Sequence, residues 1–247
     1  MELDKESLRL SFGAGAADYD RVRPRWTGEA LSWLAGAPSG AIDVLDLGCG
    51  TGIGARTLAD LGHRVVAVDP DAGMLSVLRA EAGDRLRVEQ GSAERIPLPD
   101  NSVDAVVVLQ AWHWFDPEVA AVEVARVLRP AGVLGAGWNV WDSVNPWLGE
   151  LAEAVEEPWR MHADEEDLAL DPLAGFGPWE GARFANPLRQ SVNDFVAHMA
   201  TLSWIATHPE RDRLLGAARG VAERAADADG MVDFPQLSRC ARTRRAA

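Results

Sequence analysis

Only two cysteines, Cys49 and Cys240, occur in 247 residues. Two thiols so far apart make neither a disulfide framework nor the paired spacing of a zinc site. Positive charge is scarce as well: 24 Lys and Arg stand against 38 Asp and Glu, a formal net charge of −14. Nucleic-acid and anionic-membrane surfaces need clustered cations, so both partner classes are disfavoured. The one basic run, RCARTRRAA from Arg239, reads as a solvated tail. The first residues, MELDKESLRL, hold no apolar h-region, and no apolar run approaches the length of a membrane span. Repeats and low-complexity segments are missing too. A reducing, cytoplasmic setting is the expectation. Tyrosine is limited to Tyr19, against ten Trp, residues that can anchor a core or line a flat apolar pocket.

What is present from residue 41 onward is an alternation of strand and helix patterns. AIDVLDLG (41–48), RVVAVDP (64–70), LRVEQGS (86–92), VDAVVVLQ (103–110) and VLGAGWNV (133–140) read as buried strands. Between them, 53–62, 71–83 and 117–132 read as helices, with Asp71 as an N-cap, Pro117 in a first turn and Pro130 as a stop. Strands joined by helices of this length need crossovers, hence a parallel sheet. Beyond 140 the pattern predicts helices over 145–160, 191–207 and 209–227, an acidic loop at 162–172, and short strands near 182–189 and 231–239.

The turn DLGCGTGIG, Asp46 to Gly54, sets four glycines at alternate positions after the first strand. Such a turn is a nucleotide-cofactor site in open α/β sheets. A phosphate loop would end Gly-Lys-Ser/Thr, whereas Gly54-Ala55-Arg56 follows here. The dinucleotide spacing is met by Gly50, Gly52 and Ala55 and stays open. S-adenosylmethionine is the third class, its methionine part lying on the glycine backbone while Asp69, ending the next strand, takes the ribose hydroxyls. NAD binds ribose in the same way, so Asp69 does not separate the two.

The order of further segments resembles one family. VLDLGCGTG, AVDPDAGML, GSAERIP at 91–97, DNSVDAV at 100–106 and RVLRPAG at 126–132 together are similar to class I S-adenosylmethionine-dependent methyltransferases over roughly 41–140. QAWHWFD (110–116) and SFGAGAADYDRVRPRW (11–26) resemble the small-molecule branch that includes trans-aconitate methyltransferase-like proteins. The resemblance implies a Rossmann-like, seven-stranded, mostly parallel sheet with helices on both faces and a C-terminal antiparallel strand hairpin. It implies a lid over 1–40, a cofactor core over 41–140, and a C-terminal part over 141–247 that completes the sheet and covers the substrate pocket.

It also implies that cofactor, and S-adenosylhomocysteine after reaction, would lie against Asp46, Gly48, Cys49, Gly50, Thr51 and Gly52. Asp69, Pro70 and Met74 would stand on the ribose side. Ser92, Ala93, Glu94 and Gln110 would border the adenine side; many family members have Asp where Ser92 stands. Tyr19 would reach over from the lid or simply pack its helix. Asp46 would orient the amino group through water or cap the turn. Arg23, Arg25, Trp112, Trp114, Trp138 and Trp141 are substrate-pocket candidates. The two arginines fit either a carboxylate substrate or ordinary surface ion pairs, and Trp112 and Trp114 fit either pocket or core. His113 is a candidate general base or a structural histidine. No metal is expected. The expected reaction is in-line methyl transfer to a small-molecule acceptor. A dinucleotide-dependent oxidoreductase and a non-catalytic S-adenosylmethionine-binding module are the alternatives. Oligomeric state is left open.

Overall fold

The structure, a computed structural model, describes residues 15–37, 40–142, 145–157 and 170–246. Five parallel strands form its centre: β1 (Asp43–Leu47), β2 (Arg64–Asp69), β3 (Leu86–Gln90), β4 (Val103–Leu109) and β5 (Leu128–Trp141). Two more complete a seven-stranded sheet, β6 (Glu180–Ala185) and β9 (Gln236–Arg244), in the order β3-β2-β1-β4-β5-β9-β6. Only β9 is reversed, running antiparallel to both β5 and β6. Val106, Val107 and Val108 of β4 are each fully buried, as a central strand covered on both faces must be.

Helices α1 (Ala16–Val22) and α2 (Gly28–Leu34) precede the sheet, and α3 (Ile53–Asp60), α4 (Ala72–Glu81) and α5 (Pro117–Val127) are its crossovers. Asp71 caps α4, accepting from Gly73 and Met74 N–H at 2.7 and 3.3 Å. The helix expected over 117–132 with Pro130 as its stop ends earlier, at Val127. Leu128 is already extended and begins β5; Pro130 disfavours helical backbone at the residue before it, and Ala131 turns at φ +61° within the strand, where its register against β4 shifts. Two apolar clusters, one per sheet face, bury this core: Leu31, Leu58 and Leu78 belong to one, Leu45, Phe115 and Leu134 to the other.

A third cluster is separate. It gathers α6 (Pro146–Ala154), α7 (Val192–Ala200), α8 (Ser203–Ala206) and α9 (Arg211–Ala225) around Phe195 and Phe234. The helix anticipated over 191–207 is divided in two. Thr201 closes α7 with its hydroxyl on the His198 carbonyl (2.7 Å), and Leu202 is extended. The two late strands are divided as well. β6 gives way to β7 (Leu188–Ser191) at Asn186-Pro187, and β8 (Met231–Phe234) to β9 at Pro235. Proline cannot donate to a ladder, so the hairpin leaves the large sheet there and continues as the two-stranded β7-β8 pair. Of the helix expected over 145–160, residues 158–160 lie outside the described residues, as does most of the acidic loop expected at 162–172.

Candidate functional site

Strand order reverses between β1 and β4, and at such a switch point a crevice opens beyond the carboxyl ends of the strands. A cleft of about 420 Å³ lies there. Its floor is the turn from β1 into α3. Asp69 at the end of β2 fixes that turn, accepting from Gly50 N–H at 2.9 Å on one oxygen and from Asp71 N–H at 2.9 Å on the other. Gly48, Gly50 and Gly52 all have positive φ, which L-residues adopt at a cost.

Two of these glycines serve different ends. At Gly52 (φ +82°) an added Cβ would stand 2.2 Å from Leu78 Cδ1, so this glycine is required by the packing of α4 and does not line the cleft. At Gly50 (φ +55°) an added Cβ would meet only Met74 Cε, at 3.4 Å, and the turn is open toward the cleft it lines. Gly52→Ala is therefore expected to cost about 2–5 kcal/mol of stability, strained φ and overpacking together. Gly50→Ala should cost about 1 kcal/mol while placing a methyl in the cleft. Urea melts of both variants check the difference; equal losses would mean that the two glycines do the same work.

Asp46 is 1% exposed, and neither carboxylate oxygen has a hydrogen bond of ordinary geometry. Burial first, then the charge of Asp69, pushes its carboxyl up to about 7, against a weaker pull from the Ala55 N–H. Cys49 keeps some surface on the cleft. Burial of its sulfur and the charges of Asp46 and Asp69 push its thiol well above the ordinary value, so it is no nucleophile at neutral pH.

Tyr19, Thr51, Pro70, Met74, Ser92, Ala93 and Gln110 also line the cleft, as do Arg23, His113, Trp114, Trp138 and Trp141. Gln110 has φ +58°, uncommon for a residue with a side chain. Its amide donates to the Asn139 carbonyl at 3.1 Å and thereby ties β4 to β5. His113 is exposed at the rim, its Nδ1 3.4 Å from Trp138 Nε1. Three more expected residues join Gly52 in lying elsewhere. Glu94 accepts from Asp116 N–H at 3.2 Å, outside the cleft wall. Trp112 packs in the core, edge-on to Phe115 and Trp179 at 5.9 and 6.3 Å. Arg25 is exposed and pairs with Asp20 at 3.4 Å. Trp112 and Trp114 part company at one turn of 3₁₀ helix, Trp112–Trp114, which sends successive side chains in different directions.

Several residues that support or close the cleft carry no sequence signature. Asp20 of α1 pairs with Arg56 of α3 at 2.5 Å, and Arg56 also donates to the Thr51 carbonyl at 2.7 Å. Burial alone would raise the Asp20 carboxyl; the Arg56 hydrogen bond and charge, with Thr51 and Arg25, outweigh it and hold it below the ordinary value. This pair fastens α1 to the glycine turn. On the opposite side Asn139, His198, Leu202, Trp204 and Gln236 close the cleft. Asn139 was the readable one among them, a polar side chain at the carboxyl end of an apolar strand. His198 is 2% exposed, and burial with the nearby Arg23 charge holds its imidazole well below the ordinary value. Among the described residues no three His, Cys, Asp or Glu side chains are grouped as metal ligands, and no helix is long and apolar enough to cross a membrane.

A glycine turn, a strand-end acid and a cleft at the switch point of a mostly parallel sheet define a Rossmann-like cofactor protein. The family described as methyltransferase domain matches residues 45–136. An uncharacterized methyltransferase of Mycobacterium tuberculosis is 50% identical over 155 residues, 63% of this chain and 63% of that protein. The match thus spans less than two thirds of that relative. An uncharacterized methyltransferase of Schizosaccharomyces pombe is 31% identical over 210 residues, 82% of each chain. The structure of a putative type II methyltransferase from Anaeromyxobacter dehalogenans superposes with a TM-score of 0.68 at 25% identity, covering 91% of this chain and 97% of that one. The chain belongs to the methyltransferase family. That membership sets aside the dinucleotide reading of Gly50, Gly52 and Ala55.

Proposed function

We propose that this chain is an S-adenosylmethionine-dependent methyltransferase for a small-molecule acceptor. One observation carries the reading: the buried Asp46 carboxylate, with two unpartnered oxygens, stands beside the open backbone of Gly50 on one cleft. A buried acid without partners is costly, and the ammonium of a methionine moiety would relieve that cost. The backbone from Gly48 to Thr51 would carry that moiety, Asp69 the ribose hydroxyls, and Ser92 and Ala93 the base. When bound, S-adenosylmethionine supplies an electrophilic methyl on a sulfonium.

The chain's own contribution is positioning and exclusion of water. Trp114, Trp138 and Trp141 wall the acceptor end with apolar faces. Tyr19, Arg23, Pro24 and Trp26, from the segment before β1, cover the cleft from above. In this reading the described residues of the segment 1–40 are the lid, those of 41–140 hold cofactor, and those of 141–247 complete the sheet and acceptor wall; residues 1–14 of the expected lid and 158–169 of the expected C-terminal part lie outside the described residues. The partners are small molecules rather than nucleic acid or membrane, consistent with the charge of −14, and the setting is the cytoplasm.

Calorimetric titration with S-adenosylhomocysteine and NAD tests the cofactor. Saturable binding of S-adenosylhomocysteine alone is expected, and Asp69→Asn should weaken it about tenfold. NAD binding alone, or binding of neither, would overturn the proposal. Tight binding with no methyl transfer to any of a broad acceptor panel would favour the non-catalytic module.

A further inference from the structure

The unmet polar atoms of the cleft are sorted by chemistry. At the glycine turn they are oxygens: the two of Asp46, which only accept when ionised, and the Thr51 hydroxyl, which can accept or donate. At the far end they are nitrogens: Arg23 Nε, Asn139 Nδ2, Gln236 Nε2, Trp204 Nε1 and His198 Nδ1. Each belongs to a side chain that lines the cleft, and Asn139, Gln236 and His198 are at least nine-tenths buried. The first four are donors only. The orientation of Asn139 is set by Ser238 Oγ and Asn186 Nδ2, which both donate to its Oδ1, at 2.6 and 3.0 Å, so that its NH₂ is the group left over. Arg23 is held by the Thr201 carbonyl at 3.0 Å, the carbonyl exposed by the break between α7 and α8, and by the face of Tyr19 at 4.7 Å. Among the described residues no carboxylate forms a salt bridge with Arg23. Among the described residues lining the cleft, the acids are Asp46 and Asp69, both at the other end.

Buried polar groups in folded proteins are nearly always paired, so a cluster of unpaired donors implies a missing acceptor. We propose that the acceptor end of the cleft is an anion subsite that recognises a carboxylate on the small molecule to be methylated, with Arg23, Asn139, Gln236 and Trp204 as its donors. The inference deepens the methyltransferase reading and rests on it for what is done to the bound acid; the binding itself does not depend on it. A neutral acceptor would leave the guanidinium and the amides desolvated without partners. A cationic one would face Arg23. The net charge of −14 makes the chain as a whole repel anions, so any saturable uptake of an acid must come from a local arrangement such as this one. The trio Trp138, Trp141 and Trp204 leaves apolar wall for the remainder of the molecule.

The test is a direct titration of the full chain, read by calorimetry and by the fluorescence of the cleft tryptophans. The probes are acetate, benzoate and glutarate, each set against its neutral amide, with and without S-adenosylhomocysteine. At least one acid should bind saturably, and at least tenfold more tightly than its amide. Arg23→Met, which removes a positive charge, and Gln236→Glu, which is nearly isosteric and adds a negative one, should each weaken that acid at least tenfold. If Arg23→Met fails to fold by circular dichroism, Gln236→Glu decides. No preference for any acid over its amide, including no binding of either, overturns the subsite, as does unaltered acid binding in the folded variants. Binding of S-adenosylhomocysteine without acid preference leaves the methyltransferase reading standing and removes only this one. Acid binding without S-adenosylhomocysteine binding does the reverse.

Discussion

Asp46→Asn is expected to make the ligand-free protein more stable at pH 8 while weakening its hold on cofactor. The side chain is buried beside Asp69, and its carboxyl is pushed up to about 7, from an unfolded value near 3.9. Between those values the folded protein keeps a proton that the unfolded chain has released. Stability therefore falls as pH rises from about 4 to about 7, and above that the folded state carries the full cost of a buried charge. Three pKa units correspond to an upper bound of about 4 kcal/mol. Asparagine keeps the shape and removes the titration. Urea unfolding at pH 5, 6, 7 and 8 should thus show a falling curve for the parent relative to the variant, with the gap widest at pH 8. Parallel curves would show that Asp46 does not titrate in this window. Ligand acts in the opposite sense. A bound ammonium favours the carboxylate, so S-adenosylhomocysteine should expel a proton on binding at pH 6 and bind less tightly as pH falls below 7. The variant should lose about tenfold or more in affinity and release no proton from this position. One substitution then separates what the site costs the fold from what it does for the ligand.

The sheet and its glycine turn were legible because they are written in local terms. A glycine turn, a strand-end Asp69 and the Asp71 cap lie within 26 residues of one another, and each depends on its neighbours in sequence. The acceptor end is assembled from Arg23, Asn139, His198 and Gln236, spread over more than 200 residues. No spacing announces them. Arg23 and Arg25 look equivalent in RVRPRW, yet tertiary placement gives one the Thr201 carbonyl and the other an exposed pairing with Asp20. Trp112 and Trp114 look equally paired, and a single 3₁₀ turn parts them. Of the alternating glycines, the pattern suggests one purpose, whereas Gly52 answers to Leu78 and Gly50 to the cleft. The breaks at Pro187, Thr201 and Pro235 were written in residue types. What they accomplish, bringing α7 and α8 over the strand ends, depends on a cluster of apolar side chains far apart in sequence.

Phe234→Ala should show how far that cluster stands by itself. The ring is fully buried, with Phe195 at 5.3 Å, Trp141 at 5.7 Å, and Trp147 and His198 each at 5.8 Å between centroids. Removing a buried phenylalanine costs about 3–5 kcal/mol, a large part of the roughly 5–15 kcal/mol that holds a domain together. The loss falls on a cluster whose buried members are distinct from those of the two sheet-face clusters. It should therefore loosen α6 to α9 locally before it unfolds the sheet. Amide exchange is expected to speed up across residues 192–225 and to remain slow in β1, β2 and β4. Because Asp46, Gly50 and Asp69 lie on β1, β2 and the turn between them, S-adenosylhomocysteine should still bind. Acid binding should be lost, since His198, Trp204 and the Thr201 carbonyl that holds Arg23 are all carried by the loosened helices. A uniform rise in exchange, with both ligands lost together, would instead mean that cap and sheet unfold as one cooperative unit. In that case the acceptor end could not have been altered without risk to the cofactor end. A separate loss means that one cofactor platform can carry different acceptor walls, with specificity residing in the residues that close the far end of the cleft.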